Sequence, residues 1–293
     1  MSTALHEVPL QVLSALSLTT RTGVERLRRH QPELVDSFVP FPLSAVLVLL
    51  YEKAGELRVL LTTRDKSLRA HPGQVALPGG KVDDTDADVY ETAYREAHEE
   101  VGLPRHCPYI YTICTLRPYI ASSKLLVTPV IALLTDLSVL EKLVPSPGEV
   151  DRIFDHPLEA ILDPALVANE DLAPKGSEDW IYEEELHCTS DIDLPWLENS
   201  TYRMHRFRSR AFAIKGLTSD ILIAVAEIVY EKPTTYDRFA PNQLKTFSPI
   251  LRILLGQIPV QDVASGTSTP IPKVEVGIPS ATGLVQAGGQ ATE

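Results

Sequence analysis

The chain has 293 residues, of which 44% are hydrophobic and 23% charged, a composition typical of globular proteins that bury a core without disulfides or structural metals. Its formal net charge of −12 argues against broad binding to a nucleic-acid backbone. Three cysteines without CxxC spacing favour a reducing, intracellular compartment. The N-terminus lacks the pattern of a secretory signal, and no apolar run approaches the ~20 residues of a membrane span.

The first segment, residues 1–40, is predicted to be a helical leader because apolar residues recur there at irregular helical spacing. A larger domain is expected over residues 41–235. It begins with two apolar runs rich in β-branched residues, at 45–51 and 57–63, which predict a β-hairpin with Gly55 in its turn.

Residues 86–101 predict a helix. Thr85 or Asp86 offers the short polar side chain of an N-cap, and acidic residues follow in the first turn. Gly102 is expected to end the helix, since glycine adopts the left-handed conformation of a C-terminal cap readily.

The second half of the domain mixes strands and helices without regular βαβ repeats, which indicates an α+β fold. The predicted segments are strands at residues 109–116, 125–134, 150–154 and 202–207 and a helix at 218–230.

Three further segments differ in composition from this domain. An acidic stretch at about 163–200 is predicted to be an insertion, and residues 236–264 are predicted to form a C-terminal extension. Residues 265–293 are rich in Gly, Ser, Thr, Pro and Ala, so we expect a disordered tail.

The chemistry is expected on the helix at 86–101. Glu96, Glu99 and Glu100 stand at i, i+3 and i+4, so their carboxylates project from one face. Three crowded like charges are unfavourable, and a divalent cation such as Mg²⁺, which prefers oxygen ligands, is the simplest compensation. The alternative for an isolated run of this kind is a solvated helix face.

The neighbouring residues favour a catalytic site. Gly79 and Gly80 precede the helix, where residues without Cβ let the backbone approach a ligand. Arg95 is placed to hold a carboxylate by bidentate hydrogen bonds.

This combination resembles the Nudix box, in which a Gly and an acid are followed by R-E-apolar-x-E-E-x-G-apolar. The matching positions are Arg95, Glu96, Ala97, Glu99, Glu100, Gly102 and Leu103. The middle acid is Asp86, and the interval from Gly80 to Arg95 is one residue longer than in the general box, as it is in the coenzyme A branch of that family.

Residues 60–80, LLTTRDKSLRAHPGQVALPGG, resemble the signature of the same branch, L-L-T-x-R-(S/A)-x3-R-x3-G-x3-F-P-G-G. Arg64 and Arg69 match its two arginines, whose planar guanidinium groups suit phosphate. Asp65 and Leu77 replace the usual Ser or Ala and the usual Phe.

The resemblance implies a Nudix fold, in which a mixed β-sheet is sandwiched between α-helices. It implies metal-dependent hydrolysis of the diphosphate bond of coenzyme A or acyl-CoA to 3′,5′-ADP and (acyl) 4′-phosphopantetheine, with Mg²⁺ or Mn²⁺ as cofactor. The implied metal ligands are Glu96, Glu99 and Glu100, of which Glu99 and Glu100 are also catalytic candidates together with Arg95. The implied substrate-binding residues are Arg64, Arg69, Gly79 and Gly80.

Two alternatives stay open. The same chemistry on another nucleoside diphosphate derivative, such as ADP-ribose, NADH or an oxidised nucleotide, uses the same fold. A catalytically silent Nudix domain that serves as a binding module is the other. The expected partner is a small-molecule substrate, with neither nucleic acid nor membrane, and the expected location is intracellular, in peroxisomes or cytoplasm. Nothing in the sequence predicts the oligomeric state.

Overall fold

The computed structural model describes residues 8–33 and 41–256, so the expected disordered tail lies outside the described residues. The helices in these ranges are α1 (Leu10–Ala15), α2 (Leu18–Arg29), α3 (Val89–Val101), α4 (Leu217–Tyr230) and α5 (Phe247–Gly256). The strands are β1 (Leu43–Lys53), β2 (Glu56–Arg64), β3 (Val75–Ala76), β4 (Gly79–Lys81), β5 (Ile110–Thr115), β6 (Tyr119–Ile120), β7 (Leu126–Leu134), β8 (Val150–Pro157), β9 (His187–Leu194), β10 (Ser200–Phe207) and β11 (Ile214–Lys215).

Strands β1 to β8 form one mixed sheet with the central order β3-β2-β1-β7-β5. The short strands β4 and β6 pair with β1 and β7, and β8 pairs with β2. Strands β1 and β7 run parallel, and the other pairs in this sheet are antiparallel. A second, antiparallel sheet has the order β11-β10-β9.

Strand β1 is apolar along most of its length because both faces of the large sheet are covered. Val48 and Leu50 belong to a core that includes residues of α2 and α4. Leu47 and Leu49, which alternate with them, belong to the core formed with α3. The expected α+β arrangement, a mixed sheet between helices, is therefore confirmed.

Two glycines lie where the sequence predicted a hairpin turn and a helix end. Ala54 and Gly55 have φ values of 54° and 80° and connect Lys53 to its cross-strand partner Glu56, as in a two-residue hairpin turn. Gly102 ends α3 with φ 71°.

The start of α3 differs from the expected one. Asp88 is the N-cap, because its Oδ1 accepts a hydrogen bond of 2.9 Å from the N–H of Glu91. The prediction of Thr85 or Asp86 as the cap, and of a helix from residue 86, was wrong. Asp86 is instead buried in an ion pair with Arg95, which prevents its side chain from capping the helix.

Helix α2 packs against α4 on one face of the large sheet. Val24 and Leu27 of α2 are fully buried. A Cβ atom on Gly23 would lie 2.6 Å from Val229 Cγ1, so the two helices approach closely at this point. Arg26 Nη1 donates a hydrogen bond of 2.8 Å to the Val229 carbonyl.

Residues 163–200, expected to be an insertion, contain an element that the sequence did not predict. Strand β9 pairs with β10 along its whole length, from His187 opposite Phe207 to Leu194 opposite Ser200. Within the two described ranges, no helix combines the length and the apolar character needed to cross a membrane.

Candidate active site

Three glutamates lie along the side of α3 that meets strand β4. Their spacing places Glu96, Glu99 and Glu100 on adjoining helical turns, as the sequence predicts. Their exposure differs, since the Glu99 side chain is 51% exposed and the Glu96 side chain 18% exposed. Glu100 is half-buried and faces the backbone of β4.

Gly79 and Gly80 bring the backbone of β4 against this row of carboxylates. The Gly79 N–H donates a hydrogen bond of 3.2 Å to Glu100 Oε2. A Cβ atom on Gly80 would lie 2.3 Å from Glu96 Oε1, and one on Gly79 would lie 2.3 Å from the Ala45 carbonyl oxygen. A side chain at Gly79 would therefore meet the backbone of strand β1, whereas one at Gly80 would displace the flexible Glu96 carboxylate.

Arg95 connects the acid upstream of α3 with the glutamates on it. Its Nε and Nη2 donate hydrogen bonds of 2.9 Å to the two oxygens of Asp86, whose side chain is 2% exposed. Its Nη1 donates to Glu96 Oε1 at 3.0 Å and to Glu99 Oε2 at 3.2 Å. The guanidinium group thus fixes the orientation of two of the three glutamates.

The electrostatic environment disfavours the ionised form of two glutamates. Burial raises the pKa of Glu100 to about 7, and the charges of Glu96 and Glu149 add to this effect. The Gly79 N–H and Arg64 act in the opposite direction. Burial also raises the pKa of Glu96. A cation bound between these carboxylates would stabilise their charged forms.

Arg64 and Arg69 occupy different environments. Arg64 ends β2, near enough to Glu100 to lower the pKa of that carboxyl, and its Nε donates a hydrogen bond of 3.4 Å to the Ala70 carbonyl. Arg69 is exposed in the loop between β2 and β3. The structure therefore brings Arg64 to the glutamates and leaves Arg69 on the surface.

The donor set fits a divalent cation that prefers oxygen, because the three glutamates present only carboxylates and two of them have raised pKa values. In the part of the chain that the structure describes, no three His, Cys, Asp or Glu side chains are gathered as a metal site. The reason is that Glu96 and Glu99 are turned towards Arg95, while Glu100 accepts a hydrogen bond from Gly79. A cation bound between these carboxylates would replace these contacts with metal–oxygen bonds.

Comparison with known proteins identifies the family. Residues 41–175 match the NUDIX domain. Over 192 residues the chain is 32% identical to the peroxisomal coenzyme A diphosphatase NUDT7 of Mus musculus, and the match covers 66% of this chain and 72% of that protein. The chain belongs to the Nudix family. Members of the Nudix family generally use divalent metal ions.

Other Nudix proteins match over different lengths. Nudix hydrolase 15, mitochondrial, of Arabidopsis thaliana is 36% identical over 209 residues, which cover 71% of this chain and 65% of that protein. This chain thus spans less than two thirds of that relative's length. Among solved structures, an Ap4A hydrolase binary complex of C. elegans is 25% identical with a TM-score of 0.34, and the match covers 44% of this chain and 88% of that one.

Two acids around the Nudix helix have surroundings that the sequence did not predict. Asp86 is the buried partner of Arg95. The two residues are nine positions apart, a spacing that does not predict a contact on a helix. Glu149 is the second of these acids, and it directly precedes strand β8. The structure places it close enough to Glu100 to raise the pKa of that carboxyl. Its position directly before strand β8 was the available signal.

Proposed function

We propose that this Nudix chain is a metal-dependent diphosphatase that cleaves coenzyme A or acyl-CoA to 3′,5′-ADP and (acyl) 4′-phosphopantetheine. The observation that carries the reaction type is the half-buried Glu100 carboxylate of the Nudix helix, which accepts a hydrogen bond from the Gly79 N–H of β4 and has a pKa raised to about 7. The substrate class is supported by the similarity to a protein named as a coenzyme A diphosphatase.

Each glutamate has a proposed role. Glu96, Glu99 and Glu100 would hold Mg²⁺ or Mn²⁺, and the bound ion would neutralise charge on the diphosphate and lower the pKa of a water. Glu99 or Glu100 accepts the proton of the attacking water. If Glu100 is this base, Glu99 acts as a third metal ligand. The water oxygen forms a new bond to phosphorus while the bridging P–O bond breaks. Arg95 keeps the carboxylates oriented during this exchange.

The substrate is proposed to lie against β4 and the end of β2. Gly79 and Gly80 form a floor that side chains would otherwise obstruct. Arg64, which lies near Glu100, is proposed to contact the diphosphate, and Arg69 to contact a substrate phosphate from the exposed loop.

The substrate is tested by incubating the purified full chain with coenzyme A and Mg²⁺ and identifying the products by mass spectrometry. We expect 3′,5′-ADP and 4′-phosphopantetheine, and no products when EDTA removes the metal. The same assay on ADP-ribose, NADH and an oxidised nucleotide separates this proposal from its nearest alternative. Preferred cleavage of one of those compounds contradicts the assignment of coenzyme A.

The catalytic role is tested with Glu100→Gln, which keeps the side-chain shape and removes the charge. We expect kcat to fall by about 10²–10⁴-fold with an unchanged circular dichroism spectrum. Glu91→Gln is the matched control, because Glu91 lies on the same helix and its carboxylate accepts a hydrogen bond of 2.9 Å from the Ala87 N–H, a contact outside the row of three glutamates. Full turnover by Glu100→Gln contradicts the catalytic role of Glu100, whereas absence of turnover in the wild type supports a silent binding module.

The location is proposed to be intracellular, in peroxisomes or cytoplasm. Among the relatives that match, one is named as peroxisomal and another as mitochondrial. Fluorescence microscopy of the full-length chain with compartment markers tests this proposal, and a mitochondrial signal contradicts it.

A further inference from the structure

Two cations stand directly opposite each other in the second sheet. Arg206 of β10 and Lys215 of β11 are register partners in an antiparallel pair. Both side chains are half-buried. Like charges in directly opposed positions destabilise a β-sheet, so the arrangement calls for a compensating anion.

Neither cation forms an ion pair with a carboxylate within residues 8–33 and 41–256. Arg206 Nη2 donates to Ser190 Oγ at 2.9 Å, while its Nε is buried and has no hydrogen-bond partner there. The nearest acid along the chain, Asp220, is engaged by the Tyr202 hydroxyl at 2.8 Å.

Another arginine on the same strand shows the usual compensation. Arg203 forms a bidentate pair with Asp191, with distances of 2.7 and 2.8 Å. The strand therefore neutralises one of its arginines with an acid from β9 and leaves Arg206 without one. Consistent with this, burial and the charge of Arg206 together lower the pKa of Lys215.

Aromatic rings flank the two cations. The Arg206 guanidinium lies 5.2 Å from the centre of the Tyr182 ring, and Lys215 Nζ lies 5.0 Å from the centre of the Phe212 ring. These rings restrict the cations to one region without neutralising them.

The pair lies close to the strand that leads into the active site. Thr218, three residues after Lys215, donates from Oγ1 to the Val75 carbonyl at 3.3 Å. Val75 is the first residue of β3, and Gly79 follows soon after it in the chain. The backbone between Val75 and Gly79 therefore spans at most about 14 Å. A substrate held at Gly79 is thus within reach of a second contact at the pair.

We propose that Arg206 and Lys215 together bind a phosphate monoester carried by the substrate outside its diphosphate. Two cations match the charge of such a group, which is about −1.5 to −2 near neutral pH, and guanidinium and ammonium groups both hydrogen-bond to its oxygens. This inference rests on the proposed diphosphatase function, and the 3′-phosphate of coenzyme A is the phosphate monoester which that function supplies.

The test compares the wild type with Lys215→Gln and Arg206→Gln. The ratio of kcat/KM for coenzyme A to that for 3′-dephospho-CoA is expected to fall roughly tenfold in each variant, through KM rather than kcat. Lys232→Gln is the matched control, because Lys232 lies beyond the opposite end of α4, about 20 Å from its start, and its ammonium group pairs with Glu159.

A second measurement uses inorganic phosphate without metal or substrate. Phosphate is expected to raise the Tm of the wild type and of Lys232→Gln but not that of Lys215→Gln. If Lys215→Gln keeps both the phosphate response and the preference for coenzyme A, the inference is wrong even though the diphosphatase function stands. If the protein cleaves no coenzyme A but Lys215→Gln loses the phosphate response, the anion site stands and the proposed function fails.

Discussion

The buried pair between Arg95 and Asp86 provides a quantitative prediction. Asp86 has a 2% exposed side chain and also accepts hydrogen bonds of 2.9 Å from the Asp83 N–H and the Thr92 hydroxyl. Burial tends to raise the pKa of Asp86, but these hydrogen bonds, led by those from Arg95, lower it overall. The carboxylate therefore stays charged at neutral pH. Arg95→Ala would leave it buried with only neutral donors, at a cost of about 3–5 kcal/mol.

The assay is urea unfolding at pH 7 of Arg95→Ala, Asp86→Ala and the double variant. For a folded region of this size, the single Arg95→Ala change corresponds to a Tm lower by roughly 6–20 °C. The double variant is expected to be less destabilised than the sum of the two single changes, by about 1–3 kcal/mol, because removing both partners leaves no unpaired buried charge.

Arg203→Ala serves as the control for charge alone. Arg203 makes an equally bidentate pair with Asp191, but the Asp191 side chain is 36% exposed, whereas that of Asp86 is 2% exposed. We expect this variant to unfold close to the wild-type urea concentration. A loss below about 1 kcal/mol in Arg95→Ala, or strict additivity in the double variant, refutes the reasoning that buried charge dominates at Asp86.

Further predictions concern the two glycines and the half-buried acid Asp220. Gly80→Ala displaces the flexible Glu96 carboxylate, so kcat in a Mg²⁺ assay is expected to fall roughly 100-fold with little change in Tm. Gly79→Ala instead meets the Ala45 carbonyl of β1, so thermal melting is expected to show a loss of about 1–3 kcal/mol. Burial raises the pKa of Asp220 from 3.8 to about 7, so the folded state binds a proton that the unfolded state releases between these pH values. In urea unfolding, Asp220→Asn is therefore expected to be more stable than the wild type at pH 7, and this advantage should shrink towards pH 4.

Each of these outcomes has a distinct contradiction. Equal losses of Tm for the two alanine variants would mean that the carboxylate at Gly80 is as rigid as the backbone at Gly79. A gap between Asp220→Asn and the wild type that widens with acid would mean that Asp220 is ionised in the folded protein, with its charge stabilised by neighbouring arginines.

The sequence predicted the parts of the site that depend on local periodicity. The separation of Glu96, Glu99 and Glu100 determines a common helix face in any surroundings, and Gly102 ends that helix by its own backbone preference. The residues that cap and brace the helix were harder to assign. Thr85, Asp86 and Asp88 are all good N-caps, and only the position of Arg95 in three dimensions selects among them.

The strands that the sequence did not predict escaped notice for a different reason. Strand β9, HCTSDIDL, contains mostly polar residues and is partly exposed on both faces, so it lacks the apolar signal of a core strand. Strands β3 and β4 have only two and three residues, too few for any periodicity. Their pairing with β2 and β1 is specified by long-range contacts, and β4 carries both glycines of the candidate site.

The close packing of α2 on α4 has a practical consequence for work with this protein. A fragment trimmed to the matched family segment would lack both helices. A fragment that begins at residue 41 would lack α2 and would expose the apolar surface of α4 around Val229, which Gly23 and Leu27 cover in the intact protein. An exposed apolar surface of this kind promotes aggregation during expression. Recombinant versions should therefore keep the chain from its N-terminus.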